Sequence, residues 1–141
     1  MVLRFKYTPQ IADDGSVFYT PLVGVTFIRP NSTEKIAVYA TIDSGASSTL
    51  IHRDIGEQLG IKIETGTLVR YQGIGGIVEA YKHSVVVQVH GDNRVFEIVC
   101  AFARLEGTGV LFGTEGFFEH YKVVFEKYNN TFSLIRHEGK K

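Results

Sequence analysis

The sequence predicts a mainly β protein with one or two short helices. Three observations carry that expectation. Short runs rich in Val, Ile, Phe, Tyr and Thr recur along the chain, and turns containing glycine or asparagine separate them. The length, 141 residues with 44% hydrophobic residues and 15 glycines, suits one domain around one core. The whole of 1–141 is read as a single domain, with no linker, low-complexity tract or tandem repeat.

The elements follow in chain order. Met1 to Tyr7 alternates apolar and basic residues, which reads as a strand and lacks the continuous apolar stretch of a secretory signal. Ala12-Asp13-Asp14-Gly15 is a tight turn, and a second run from Val17 continues through Pro21 toward Ile28. Pro21 cannot donate a ladder hydrogen bond, so it marks an edge, a bulge or a strand start. Ile36 to Ile42 reads as a strand with Ile36, Val38, Ala40 and Ile42 on one face, running straight into Asp43. Ile51, Ile55 and Leu59 recur at a spacing of four before Gly60, which predicts a helix over about 52–59.

Leu68 to Tyr71 and Ile77 to Tyr81 flank Gly73-Ile74-Gly75-Gly76 and predict two strands with a glycine-rich tip. Val85, Val87 and Val89 form a further strand, and Val95 to Ala103 a buried one that returns after His90-Gly91-Asp92-Asn93. Val110-Leu111-Phe112-Gly113 follows, then a short helix over about Glu115 to His120. A hairpin of Lys122 to Phe125 and Phe132 to Ile135 closes the chain around Asn129-Asn130.

Composition excludes several functions. Fifteen basic residues balance fifteen acidic ones, which argues against a nucleic-acid binder needing a basic excess on one face. The single cysteine, Cys100, allows no internal disulfide and no cysteine-based metal site, and points to a reducing compartment. The longest apolar run, Ile98 to Ala103, is far shorter than the roughly 20 residues of a membrane-spanning helix. A soluble cytoplasmic chain with no membrane partner is therefore expected, and the sequons at Asn31 and Asn129 would matter only in a secreted one. His52, His83, His90, His120 and His137 are dispersed without a ligand spacing, so no metal and no cofactor are expected. A serine hydrolase would need a Gly-x-Ser-x-Gly elbow, which Ser44 and Ser47 lack. Gly73-x-Gly75 lacks the third glycine of a dinucleotide fingerprint, whose place is taken by Val78.

The segment that carries chemistry is Ala40-Thr41-Ile42-Asp43-Ser44-Gly45-Ala46-Ser47-Ser48. It sets an acid at the end of an apolar strand, where burial of a carboxylate must be offset by hydrogen bonds or a changed proton affinity. Ser44 can donate from its hydroxyl, and Gly45 permits a turn and a close backbone approach. By themselves these residues leave two readings open: an ordinary turn at a strand end, or an active-site acid.

With two further segments in order, the flap-like, glycine-rich Gly73-Ile74-Gly75-Gly76-Ile77 and Leu111-Phe112-Gly113 followed by a short predicted helix, the sequence resembles the retropepsin-like aspartic proteases over about Tyr19 to Leu134. The resemblance implies a β barrel whose flap closes over a peptide-binding cleft. It implies Asp43, Ser44 and Gly45 as the catalytic motif, with Ala46, Gly73, Ile74, Gly75, Gly76 and Ile77 against a peptide or protein substrate. Ser44 would hold two aspartate loops in register. Only one such motif is present, because Asp13-Asp14-Gly15 lacks the intervening Ser or Thr and Asp54-Ile55-Gly56 falls in the predicted helix. The implied enzyme is therefore a two-fold homodimer, an aspartic endopeptidase with one Asp43 from each subunit.

The resemblance also has departures. Viral members carry an acid two residues after the motif glycine and an arginine after the second signature glycine, where this chain has Ser47 and Thr114. The segment Arg136 to Lys141 is charged, unlike the apolar terminal strands that interleave in viral dimers. The competing expectations are a catalytically silent domain of the same fold that binds extended peptides as an adaptor, and a monomeric structural β domain.

Overall fold

The computed structural model describes residues 1–73 and 75–138. The strands are β1 (Val2–Lys6), β2 (Thr8–Ile11), β3 (Val17–Thr20), β4 (Leu22–Ile28), β5 (Lys35–Ile42) and β6 (Leu50–His52). The helix α1 (Arg53–Gln58) follows, then β7 (Thr67–Gly73), β8 (Gly76–Val89), β9 (Val95–Ala103), β10 (Val110–Phe112), β11 (Tyr121–Glu126) and β12 (Thr131–Arg136). The fold is mainly β with one short helix, as the sequence predicts.

The strands form three sheets. Seven run in the order β4-β5-β10-β6-β9-β8-β7, and β4 pairs again with β8, curling the sheet into a barrel. A three-stranded sheet, β1-β12-β11, packs against it, and β2 with β3 stands as a two-stranded hairpin. Alternation explains the packing. In β4, Val23, Val25 and Phe27 are fully buried between half-buried neighbours, and in β5 Ala40 and Ile42 turn inward. Val85, Val87 and Val89 from β8, with Ile98 and Phe102 from β9, complete the core beside Ile51, Phe112 and Phe117. Each such side chain contributes about 1.5–3 kcal/mol of burial.

Three expectations change. The predicted strands Ile77–Tyr81 and Val85–Val89 are one 14-residue strand, β8. The polar stretch Lys82-His83-Ser84 that suggested a break pairs with Ala101, Cys100 and Val99 of β9, and the His83 ring bonds the Ile63 carbonyl at 2.7 Å. The strand Val95–Ala103 is buried throughout only in its second half, since Val95, Glu97 and Val99 face solvent. The predicted helix over Glu115 to His120 is a succession of turns. Gly116 takes φ +103°, outside the helical region, and the Thr114 and Glu115 N–H groups donate to residues of another loop.

The three-stranded sheet is fastened to the barrel by a buried charge cluster. The Asp92 carboxylate, in the turn between β8 and β9, accepts from the Tyr121 hydroxyl at 2.5 Å and from Arg136 Nη1 and the Arg94 backbone N–H, each at 2.9 Å. Burial works against its charged form, yet those donors and the Arg136 charge outweigh it and hold the carboxyl below its ordinary range.

Candidate functional site

Strand order determines the geometry around Asp43. β10 lies between β5 and β6, parallel to β5 (Leu111↔Thr41, Phe112↔Ile42) and antiparallel to β6 (Val110↔Ile51, Leu111↔Leu50). The chain leaving β5 must therefore cross the end of β10 before it can enter β6. That crossing is the loop 43–49, and the chain leaving β10 at Gly113 passes directly beneath it.

Hydrogen bonds fix the crossing. The Asp43 N–H donates to the Phe112 carbonyl at 2.9 Å, Thr114 N–H to Ala46 O at 2.9 Å and Glu115 N–H to Ser47 O at 3.0 Å. Thr49, 2% exposed, donates its hydroxyl to Glu115 O at 2.9 Å and accepts from Gly113 N–H at 3.2 Å. Only glycine fits at position 113: a Cβ there would sit on the Ser48 carbonyl group and 2.7 Å from the Ala46 oxygen. The Leu111-Phe112-Gly113 segment thus supports the Asp43 loop directly, with Phe112 fully buried and stacked on Phe117 at 4.3 Å.

Within the loop, Asp43 Oδ1 accepts the Gly45 N–H at 2.9 Å, and the Asp43 carbonyl accepts from Ala46 N–H at 3.2 Å. Among the described residues no side chain donates to Oδ2. The expectation of a buried acid is corrected here, because Asp43 is half-buried and Ser44, Gly45 and Ser47 are exposed. β5 ends at Ile42, so Asp43 emerges at the rim of the core rather than within it.

The apolar surroundings lie on the sheet face opposite the core. Alternation that sends Ile42 and Phe112 inward sends Thr41 and Leu111 outward, and Asp43, next after Ile42, falls on that outward face. The same face carries a second cluster in which Ala80, Ala101 and Ala103 pack with half-buried Leu50, Val69, Tyr71, Val78 and Leu105. The result is an apolar patch that runs from β6 and β9 onto both strands of the β7–β8 hairpin.

That hairpin pairs in register from Thr67↔Lys82 to Gly73↔Gly76. At its tip Gly76 has φ +114°, Gly75 is open to solvent and Ile77 is 68% exposed. Ile74 lies outside the described residues. The structure thus gathers Asp43, Ser44, Gly45 and Ala46 in one loop, and Gly73, Gly75, Gly76 and Ile77 at a separate tip. Asp13-Asp14-Gly15 lies in the β2–β3 turn and Asp54-Ile55-Gly56 in α1, so neither repeats the Asp43 arrangement.

Two supporting groups escaped sequence reasoning. Thr49 is one; its only signal is a hydroxyl residue that ends the serine-rich loop just before the apolar Leu50-Ile51. Thr114 is the other, which the sequence marks only as a departure after the second signature glycine and not as a support; it links the two segments by its N–H to Ala46 O and by a 3.4 Å hydroxyl contact to Ser47 O. No group of three His, Cys, Asp or Glu able to hold a metal occurs among the described residues, nor a helix long and apolar enough to cross a membrane.

Comparison with known proteins gives the class. A family model described as aspartyl protease matches residues 31–115, which include the Asp43 loop, the β7–β8 hairpin and Gly113. The chain belongs to this aspartyl protease family. Its fold is retropepsin-like: it is similar to the crystal structure of a retropepsin-like aspartic protease from Rickettsia conorii, with a TM-score of 0.63 and 15% identity over 95% of this chain and 98% of that one. It is also similar to EIAV protease complexed with the inhibitor HBY-793, with a TM-score of 0.50 and 20% identity over 67% of this chain and 81% of that one. Comparison with curated proteins returned no match.

Proposed function

We propose that the chain is an aspartic endopeptidase that hydrolyses peptide bonds as a homodimer, using one Asp43 from each copy. The observation that carries this reading is the Asp43 loop itself. Three backbone hydrogen bonds at Asp43, Ala46 and Ser47 tie it to the Phe112–Glu115 segment, while among the described residues one carboxylate oxygen has no donor and the same sheet face carries an apolar patch. A carboxylate so held is oriented by its own loop and left half-exposed, which is the condition for a second carboxylate and a water to reach it.

The chemistry follows from the pairing. Two carboxyls within hydrogen-bond reach cannot both ionise easily, so they share one proton and titrate as a pair. The ionised member takes a proton from a water as that water attacks the peptide carbonyl, and the protonated member donates to the developing oxyanion. Ser44, beside each acid, holds the two loops in register. The β7–β8 hairpin acts as the flap: Gly73, Ile74, Gly75, Gly76 and Ile77 close over an extended peptide and exclude water. Leu50, Val69, Tyr71, Val78 and Leu105 favour apolar substrate side chains.

The test is peptide cleavage across pH by the natural chain and by Asp43→Asn, which keeps the shape and removes the acid. The natural chain should give a bell-shaped profile, and the variant should lose about 10²–10⁴-fold in kcat. Cleavage unaffected by the substitution would refute the mechanism, and peptide binding without turnover by both forms would make the chain a peptide-binding adaptor instead.

A further inference from the structure

Besides the Asp43 loop and the β7–β8 hairpin, a groove of about 250 Å³ opens between the β2–β3 hairpin, the adjoining ends of β4 and β5, and the loop from β9 to β10. The hairpin register pairs Thr8 with Thr20 and Gln10 with Phe18, so these four share one face, while the apolar Pro9, Ile11, Val17 and Tyr19 share the other. Phe18, Thr20 and Leu22 stand at every second position, which carries the first face across Pro21 and into β4. Leu22 pairs with Thr41, and Tyr39 lies two residues earlier on the same side of β5. Gln10, Phe18, Thr20, Leu22, Tyr39 and Thr41 line the groove together, facing residues 107–109.

We infer that this groove is a distal substrate subsite, in which Phe18 and Tyr39 grip a large uncharged side chain, aromatic by preference, of the peptide being cleaved. The inference rests on the endopeptidase reading above and adds to it the class of substrate that the site selects. Continuity with Asp43 argues for the peptide as occupant. Thr41 ends the groove two residues before the acid, on the same outward face of the sheet, so an extended chain that crosses Asp43 can run on into it. Tyr39 stands four residues before Asp43, about 13 Å of strand. An extended substrate rises by the same amount per residue, so the gripped side chain belongs to a residue about three to five positions from the scissile bond.

The lining decides which side chain fits. Among the described residues none that lines the groove is charged, so an Asp, Glu, Lys or Arg seated there would lose water and gain no partner of opposite sign. Phe18 is 50% exposed and Tyr39 73%, and an apolar side chain lying against the two rings removes that surface from water. Gln10, Thr20 and Thr41 supply amide and hydroxyl groups for the peptide backbone. The hairpin is also held in place from behind. Lys127 Nζ lies 5.2 Å from the Tyr19 ring and 5.4 Å from the Tyr7 ring, and the Pro21 carbonyl accepts from Ile42 N–H at 3.0 Å where the hairpin joins the barrel. A wall fixed in this way loses little freedom when the peptide binds.

The test uses the full chain and peptides built on a central Leu-Phe bond, which suits the apolar patch beside Asp43. A long series carries Phe, Asp or Lys, one at a time, at three to five residues from that bond on either side. The natural chain should cleave the best Phe peptide with kcat/KM about tenfold or more above its Asp and Lys counterparts, the difference lying mainly in KM. In Phe18→Ala/Tyr39→Ala the preference should fall to within about twofold. Ile11→Ala, on the opposite face of the hairpin, should keep it. Circular dichroism checks that each variant is folded. Binding gives a readout without turnover: Asp43→Asn should hold a fluorescein-labelled Phe peptide with a Kd about tenfold below that of the Asp peptide, and adding Phe18→Ala/Tyr39→Ala should erase the difference.

The inference is overturned if Phe, Asp and Lys are taken equally at every position, if the preference survives Phe18→Ala/Tyr39→Ala, or if Ile11→Ala abolishes it as fully as that pair does. Its failure is distinct from that of the protease reading. Asp43-dependent cleavage indifferent to Phe18 and Tyr39 defeats this inference alone. Peptide binding that depends on Phe18 and Tyr39, with no cleavage by the natural chain, supports it and defeats the protease reading alone. Neither binding nor cleavage of any peptide overturns both.

Discussion

Gly113→Ala is the most exacting perturbation of the Asp43 loop, because the new methyl has nowhere to go. The added Cβ would lie on the Ser48 carbonyl and 2.7 Å from the Ala46 oxygen, and both neighbours are backbone. A side-chain end could swing aside, whereas here the loop 43–49 must withdraw. Ordinary contact at about 3.4 Å requires the Ala46 oxygen alone to move by about 0.7 Å, and Ala46 is three residues from the acid. Overpacking of this kind costs about 1–3 kcal/mol. The withdrawal also weakens the hydrogen bonds from Thr114 N–H to Ala46 O and from Gly113 N–H to the Thr49 hydroxyl, so the upper end of that range is expected. A misplacement near 1 Å at a reacting group lowers turnover by about a hundredfold. Urea unfolding should show the midpoint falling at unchanged slope, and peptide cleavage should fall in kcat more than in KM. Natural stability and natural kcat in the folded variant would refute the claim that Gly113 carries the Asp43 loop.

Three further outcomes are expected. Thr49→Val keeps the shape of the side chain but orphans the buried Gly113 N–H and the Glu115 carbonyl, so it should cost about 1–3 kcal/mol in urea unfolding, with turnover reduced. Asp92→Asn removes the negative partner of Arg136 and Tyr121 in a carboxylate with no exposed surface, and should cost about 3 kcal/mol near neutral pH. Because the folded-state pKa of Asp92 lies below its unfolded value, its stabilisation is present above about pH 4 and is lost as pH falls through the folded value. The stability gap between natural chain and Asp92→Asn should therefore narrow in acid; a constant gap from pH 7 to pH 3 would count against the charged network. Asp43→Asn, by contrast, should leave the unfolding midpoint within about 0.5 kcal/mol of natural, since the side chain is half-exposed and the amide oxygen can still accept from Gly45.

What the sequence made legible was local. Alternation in Ile36 to Ile42 reports the β5 face and its arrival at Asp43, and the spacing of Ile51, Ile55 and Leu59 before Gly60 reports α1. The glycines at 73, 75 and 76 report a hairpin tip, and Asn130, in the left-handed region at φ +55°, reports the turn between β11 and β12. The predicted second helix failed because residues 114 and 115 commit their N–H groups to the Asp43 loop, nearly seventy positions earlier, and a local pattern carries no trace of that competition. Thr49 was missed for the same reason, its partner Gly113 lying 64 residues away, as were the Asp92 bonds across 29 and 44 residues. The expectation of a buried Asp43 took strand context as a measure of burial, whereas the acid sits one residue beyond the strand's end. The exposed apolar face of the β2–β3 hairpin was equally hidden, because its residues read as an ordinary strand until their packing is known.

The central claim is that one site draws an acid from each of two chains, and a mixing experiment tests it most directly. Natural chain and Asp43→Asn are unfolded together, refolded in varied ratio at fixed total concentration, and assayed for peptide cleavage. If each site needs both acids, activity follows the square of the natural fraction, so an equal mixture retains about one quarter. Activity proportional to the natural fraction, with about one half retained at equal mixture, would mean that a single Asp43 suffices and would contradict the shared site.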